Sequence, residues 1–167
     1  MKDERIFLGL GSNLGDRAAH LRSARRALQD RAGLSIVAES SIYETAPVGV
    51  TAQPAFLNQV VEARSELSPE DLLQRALEIE MSLGRERRQH WGPRTIDIDI
   101  LAYGERQIIS GPLTLPHPEV HRRRFVLVPW AEIAPEFIVV PLHATIAGLL
   151  AACADQAAVT VAEGLAA

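Results

Sequence analysis

Apolar and polar positions change period several times along the chain. Residues 6–10 form an unbroken apolar run, short enough for one buried strand. Over 17–31, Ala18, Leu21, Ala24 and Leu28 recur at helical spacing, with Asp16 placed to cap the helix and Gly33 to end it. Residues 35–45 alternate as a strand, and 55–63 (AFLNQVVEA) read as another. Ser68-Pro69-Glu70-Asp71 is a helix start, with Ser as cap, Pro at the first helical position and an acid at the third. Leu72, Ala76, Ile79 and Leu83 line the buried face of that helix, and Gly84 stops it. A further strand carries Ile96, Ile98 and Ile100 in alternation with Asp97 and Asp99. The order β-α-β-β-α-β predicts an α+β fold with a ferredoxin-like core, an antiparallel sheet with both helices packed on one face. Beyond it, Gly104-Glu105 suggests a hairpin to 107–110, and PLTLPHPEVH reads as a Pro-rich loop. Residues 122–133 and 144–155 read as a C-terminal helical extension, and 159–162 as a last short strand. Without a repeat, low-complexity tract or linker, residues 1–167 are expected to be one domain.

The aspartates make this pattern chemically specific. On a strand Asp97 and Asp99 share the face opposite the isoleucines, with Cα atoms about 6.6 Å apart. Two ionised acids so close repel unless cations join them. Mg²⁺ is usually held by one or two carboxylates plus substrate phosphates, and two-metal sites need ions about 3.5–4 Å apart, which this pair can span. A strand with one solvated face would carry the same pattern, so the neighbouring residues decide. GRERRQHWGPR, ahead of the pair, holds Arg85, Arg87, Arg88 and Arg94. Guanidinium forks match phosphate oxygens two at a time. The segment reads as a basic arm over a metal-bound polyphosphate. GLGSNLG, by contrast, does not meet the G-x-G-x-x-G spacing, and no G-K-[ST] follows; it reads as a structural turn.

Composition narrows the class. The chain is 47% hydrophobic and 23% charged, with a net charge of −4, which disfavours a nucleic-acid partner. No apolar run approaches a membrane span. The start MKDERIFLGLG lacks a signal-peptide pattern, and the single Cys153 fits a reducing compartment, so a cytoplasmic protein is expected.

WGPRTIDIDI is similar to the signature of the 6-hydroxymethyl-7,8-dihydropterin pyrophosphokinase family. GSNLGD, YETAPVG, QPAFLN, GRER and LPHPEVHRRRFVL also resemble that family, in order, between about residues 6 and 136. The resemblance implies transfer of pyrophosphate from ATP to the pterin hydroxymethyl oxygen, leaving AMP, in folate biosynthesis. It makes Asp97 and Asp99 ligands of two Mg²⁺ ions, and Arg85 and Arg94 the arginines that grip the triphosphate. Arg87, Arg88, Ile100, His117 and Arg123 match further nucleotide contacts, with Glu80 and Thr114 at the nucleoside. Phe125 and Phe56 match the pair that sandwiches the pterin. Asn58 falls one strand period after Phe56, and its carboxamide suits the pterin's amide edge. Thr45 and Val48 lie on the loop that would present backbone groups to that edge, Trp91 matches a loop residue that closes over the site at the pterin, and Asp97 also reaches the pterin. The stretch 88–91 is one residue shorter than the common pattern, with His90 where arginine is often found, and Leu77 and Pro112 replace polar or basic residues. A monomer binding ATP and pterin, with no nucleic acid and no membrane, is expected.

Two other classes fit less well. A ferredoxin-like RNA-binding sheet would present aromatic residues in a basic field, whereas this one presents an acidic pair. A metal-dependent phosphodiesterase would carry more clustered His and Asp; the five histidines are scattered, and only His117 is near a motif.

Overall fold

Asp16 opens the first helix as its position implies, its Oδ1 accepting from the Ala19 amide at 3.1 Å. The computed structural model describes residues 4–46, 52–84 and 95–162. The chain forms β1 (Ile6–Ser12), α1 (Arg17–Arg31), β2 (Ser35–Glu39), β3 (Tyr43–Thr45), β4 (Phe56–Arg64), α2 (Pro69–Ser82) and β5 (Asp97–Tyr103). It continues with β6 (Ile108–Ser110), β7 (Leu113–Leu115), a 3₁₀ turn at Val120–Arg122 and α3 (Arg124–Ile133). Last come β8 (Ile138–Val139), β9 (Ala144–Thr145), α4 (Ile146–Ala152) and β10 (Val159–Val161). Gly33, at φ 66°, supplies the left-handed residue that ends α1. Ser68 caps α2, its hydroxyl accepting from the Asp71 amide at 3.1 Å.

The main sheet runs β10–β3–β4–β1–β5, with β2 also paired to β4, and every pairing is antiparallel. Helices α1 and α2 cover one face. Ile6, Leu8, Leu10, Leu57, Val61, Ile98 and Ile100 pack there against Leu21, Leu28, Leu72 and Ile79. Helix α3 covers part of the other face, where Phe7, Val60, Leu101 and Ala102 meet Leu127 and Trp130. This two-sided burial fixes the register of β5. A slip of one residue would turn Asp97 and Asp99 into the core and Ile98 and Ile100 out of it, at several kcal/mol for each unpaired buried charge.

Four expectations need correction. The alternation over 35–45 does not form one strand, because Ser40 interrupts it. Ser40 is buried, its amide bonds the Val60 carbonyl at 2.9 Å, and its hydroxyl accepts from the Val60 amide at 3.0 Å. Residues 108–110 pair with β7 rather than returning along β5, so the Pro-rich stretch contains a strand, and Gly111 (φ 55°) with Pro112 makes the turn between β6 and β7. The helix expected over 144–155 is shorter, Ile146–Ala152, capped by Thr145 and preceded by the β8–β9 ribbon. GLGSNLG is a turn only in its second half, since Gly9 and Gly11 lie within β1 and only Gly15 takes positive φ. Among the described residues no helix is long and apolar enough to cross a membrane.

Candidate active site

Register brings residues distant in sequence onto one face. On β1, Gly9 pairs with Asp99 of β5 and Gly11 with Asp97. On its other side, Gly11 pairs with Asn58 of β4. Asn58 in turn pairs with Tyr43, and Phe56 with Thr45. Residues directly opposite in an antiparallel pair share a face. The face opposite α1 and α2 therefore reads, across three strands, acid, glycine, carboxamide. Gly9 and Gly11 floor a trough with Asp97 and Asp99 on one rim and Asn58, Phe56 and Thr45 on the other; the Leu101 side chain reaches towards Gly9 and the Asn58 side chain over Gly11. Asp99 is exposed, and Asp97 and Phe56 are half-buried.

The second rim is held rigidly. Asn58 is buried and donates from Nδ2 to the Thr45 hydroxyl at 2.6 Å. Its Oδ1 lies over Gly11: a Cβ added there would stand 2.9 Å from that oxygen and 3.7 Å from the Phe56 ring. Position 11 admits this carboxamide oxygen because it has no side chain. Sequence reasoning missed this role for Gly9 and Gly11, because the signal is their pairing with β4 and β5. The loop before Phe56 is tied back to β1–α1: Asn13 donates to Gln53 Oε1 at 2.9 Å and to the Pro54 carbonyl at 3.0 Å. Arg17 donates to the Ala55 carbonyl at 2.9 Å and to Glu44 at 2.7 Å.

Phe125 stands at the start of α3, half-buried against the core of the same sheet face. The Arg123 guanidinium lies 5.7 Å from the centre of its ring. His117 follows β7; its amide donates to the Leu101 carbonyl at 2.9 Å, and its Nδ1 accepts from the Glu119 amide at 3.2 Å. That assignment leaves the proton on Nε2 as a donor. Burial and the neighbouring Arg123 charge lower the imidazole to about 4, so the ring is neutral near pH 7. Thr114 is half-buried on β7.

Two anticipated contact residues are placed differently from the rest. The Ile100 side chain is buried between the sheet and the helices, so it offers the acid-bearing face only backbone. Glu80, buried on α2, accepts from the Ile98 amide at 2.7 Å. Its carboxylate thus grips the residue between the two aspartates. Among the described residues no group of three or more His, Cys, Asp or Glu is placed to hold a metal ion. Val48, Arg85, Arg87, Arg88, Trp91 and Arg94 lie outside the described residues.

A family model described as 7,8-dihydro-6-hydroxymethylpterin-pyrophosphokinase matches residues 7–135. The chain belongs to that family. A Methylorubrum extorquens 2-amino-4-hydroxy-6-hydroxymethyldihydropteridine pyrophosphokinase is 50% identical over 135 residues, 81% of this chain and 85% of that relative. The Bacillus subtilis enzyme of the same name is 45% identical over 130 residues, 78% of each chain. Among solved structures, Plasmodium falciparum HPPK-DHPS superposes with a TM-score of 0.68 at 16% identity over 89% of this chain, a likeness of fold. The chain spans 43% of that longer structure. With membership in the pyrophosphokinase family comes its reaction, ATP-dependent pyrophosphoryl transfer to hydroxymethyldihydropterin in folate biosynthesis.

Proposed function

We propose that the trough is where this transfer takes place, with the triphosphate of ATP at the Asp97–Asp99 rim and the pterin between Phe56 and Phe125. The observation that carries the reading is the shared face itself. Gly9 and Gly11 separate a carboxylate rim from a rim that bears a fixed carboxamide and an aromatic ring. A flat heterocycle needs ring faces to stack on and a donor–acceptor edge to be recognised. A polyphosphate needs cations, which adjacent carboxylates recruit.

Asp97 and Asp99 would hold two Mg²⁺ ions through their carboxylate oxygens, the hard ligands such ions take. Held there, the ions would supply the positive charge that neutralises the phosphates. The chain's own residues position the reactants. Asn58 Oδ1 accepts from the pterin's amide edge while Thr45 fixes the carboxamide. Phe56 and Phe125 fix the plane of the ring and so aim its hydroxymethyl oxygen at the acid rim. Neutral His117 donates from Nε2 to the nucleotide, and Arg123 adds positive charge near Phe125. Arg85 and Arg94 grip the phosphates as charge moves onto the leaving AMP, with Arg87 and Arg88 as further phosphate contacts. The family resemblance gives Thr114 contact with the nucleoside, and Val48 and Trp91 contact with the pterin. Phosphoryl-type transfer depends mainly on such positioning and charge stabilisation.

The strand order β5–β1–β4–β3, with α1 and α2 on one face, supports a ferredoxin-like core. The return of β10 to the main sheet supports a single domain over 1–167, which we take to act as a monomer.

Product analysis tests the reading. Purified protein given ATP, Mg²⁺ and 6-hydroxymethyl-7,8-dihydropterin should release AMP in equal amount to pterin diphosphate. Release of ADP would show ordinary kinase chemistry and overturn it.

A further inference from the structure

We infer that residues 153–162, beyond the stretch matched by the family model, form a strap that sets two walls of the pterin pocket. Asp155 is the positioning residue for Phe125, and β10 positions Thr45. The inference rests on the pocket assigned above.

Helix α3 begins at Arg124, and its cap residue Arg123 makes no side-chain cap bond. First-turn amides have no partner within their own helix. Asp155, 31 residues further on, takes that role, its Oδ2 accepting from the Arg124 amide at 3.3 Å. Its Oδ1 accepts from the Ala157 amide at 2.9 Å, and Arg124 Nε donates back to the Ala157 carbonyl at 3.2 Å. A carboxylate at a helix N-terminus is favourable. Here it fixes the turn that bears Phe125.

The chain then runs directly into β10. Val159 pairs with Thr45, Thr160 with Glu44 and Val161 with Tyr43, and the Ala162 amide donates to the Ile42 carbonyl at 2.8 Å. The far end of α3 is tied to the start of the same strand. Glu132 accepts from the Ser41 amide at 3.1 Å, the Ser41 hydroxyl at 3.0 Å and the Tyr43 hydroxyl at 2.5 Å. Helix α3 and β3 are thus joined at both ends, and the strap is the join at the end that carries Phe125 and Thr45. Without it, β3 would be an edge strand held by three residue pairs to β4. Pterin binding would then have to order both walls. Apparent affinity falls by the fraction of molecules already competent, while turnover at saturation is unchanged.

Asp155→Ala, Asp155→Asn and Thr160→Pro in the full chain test this. The Thr160 amide lies on the same strand edge as the Ala162 amide, facing β3, so proline removes a ladder donor. Asp155→Ala should raise the pterin KM about fivefold, the scale of a lost helix cap. Asp155→Asn keeps one carbonyl acceptor and should raise it less. Thr160→Pro should act in the same direction as Asp155→Ala. kcat at saturation and the ATP KM should stay within about twofold throughout. A lower melting temperature with an unchanged pterin KM in Asp155→Ala and Thr160→Pro would show a purely structural role and overturn the inference. So would a fall in kcat with both KM values unchanged. If Asp155→Ala does not fold, Asp155→Asn and Thr160→Pro decide by the same criteria. A wild-type chain that forms no AMP would refute the reaction assignment instead; calorimetry with the pterin would then still read the strap, as weakened binding in these variants.

Discussion

Asn58 donates from Nδ2 to the Thr45 hydroxyl at 2.6 Å, and this one bond turns its carbonyl oxygen over the bare backbone of Gly11. The pair joins β4 to β3 and couples a recognition group to the absence of a side chain on the next strand. Asn58 has little freedom to retreat, because Thr45 is buried and paired opposite Phe56.

Gly11→Ala should therefore cost binding more than folding. The new Cβ would lie 2.9 Å from Asn58 Oδ1, so the carboxamide must rotate away or the strands must part. Overpacking of this kind costs about 1–3 kcal/mol, and we expect pterin affinity to fall roughly tenfold or more. ATP affinity should hold. Calorimetry that finds both ligands equally weakened would mean that the glycine serves the sheet and not the pocket.

Glu80 separates two explanations for a buried acid. If it acts by fixing the Ile98 amide, Glu80→Gln keeps a carbonyl acceptor and should need nearly the wild-type Mg²⁺ concentration. Glu80→Ala strands a buried amide, at a cost of about 1–3 kcal/mol, and loosens the strand that carries both aspartates. Its half-saturating Mg²⁺ should rise several-fold. A Gln variant as impaired in ATP affinity as the Ala variant would show that the carboxylate charge meets the nucleotide directly.

The legible and the hidden parts of this fold differ in how far apart their determinants lie. Helices α1 and α2 were readable because Asp16, Ser68, Gly33 and Gly84 mark their ends within a turn of the periodic stretch. The Asp97–Asp99 face was readable for the same local reason, strict alternation with isoleucine. The break at Ser40 was not, since it depends on hydrogen bonds to Val60, twenty residues away. Nor was the pairing of β6 with β7, because Pro112 reads equally well as loop or as turn. The glycine trough and the Asp155 cap require knowing which strands adjoin and which segment returns to α3. No single stretch of sequence holds that information.

His117 gives a stability signature. Its folded pKa of about 4 lies below the ordinary 6.5 because burial and Arg123 disfavour the charged ring. As pH falls through 6.5 the unfolded chain gains a proton that the native chain refuses until about pH 4. His117 thus contributes a loss of stability on acidification across that window and none above it. His117→Gln should reduce the drop in urea midpoint between pH 7.5 and pH 5. An identical drop in both proteins would place the acid sensitivity elsewhere.

The most direct test of the account is pterin-dependent AMP formation by Asp97→Asn and Asp99→Asn across a Mg²⁺ titration, with circular dichroism as a check on folding. Neutral carboxamides keep the size of the side chains and the register of β5 while removing the charges that recruit cations. The account predicts that turnover falls by orders of magnitude in each variant at every Mg²⁺ concentration, with the fold intact. Near-wild-type turnover in either variant would contradict it.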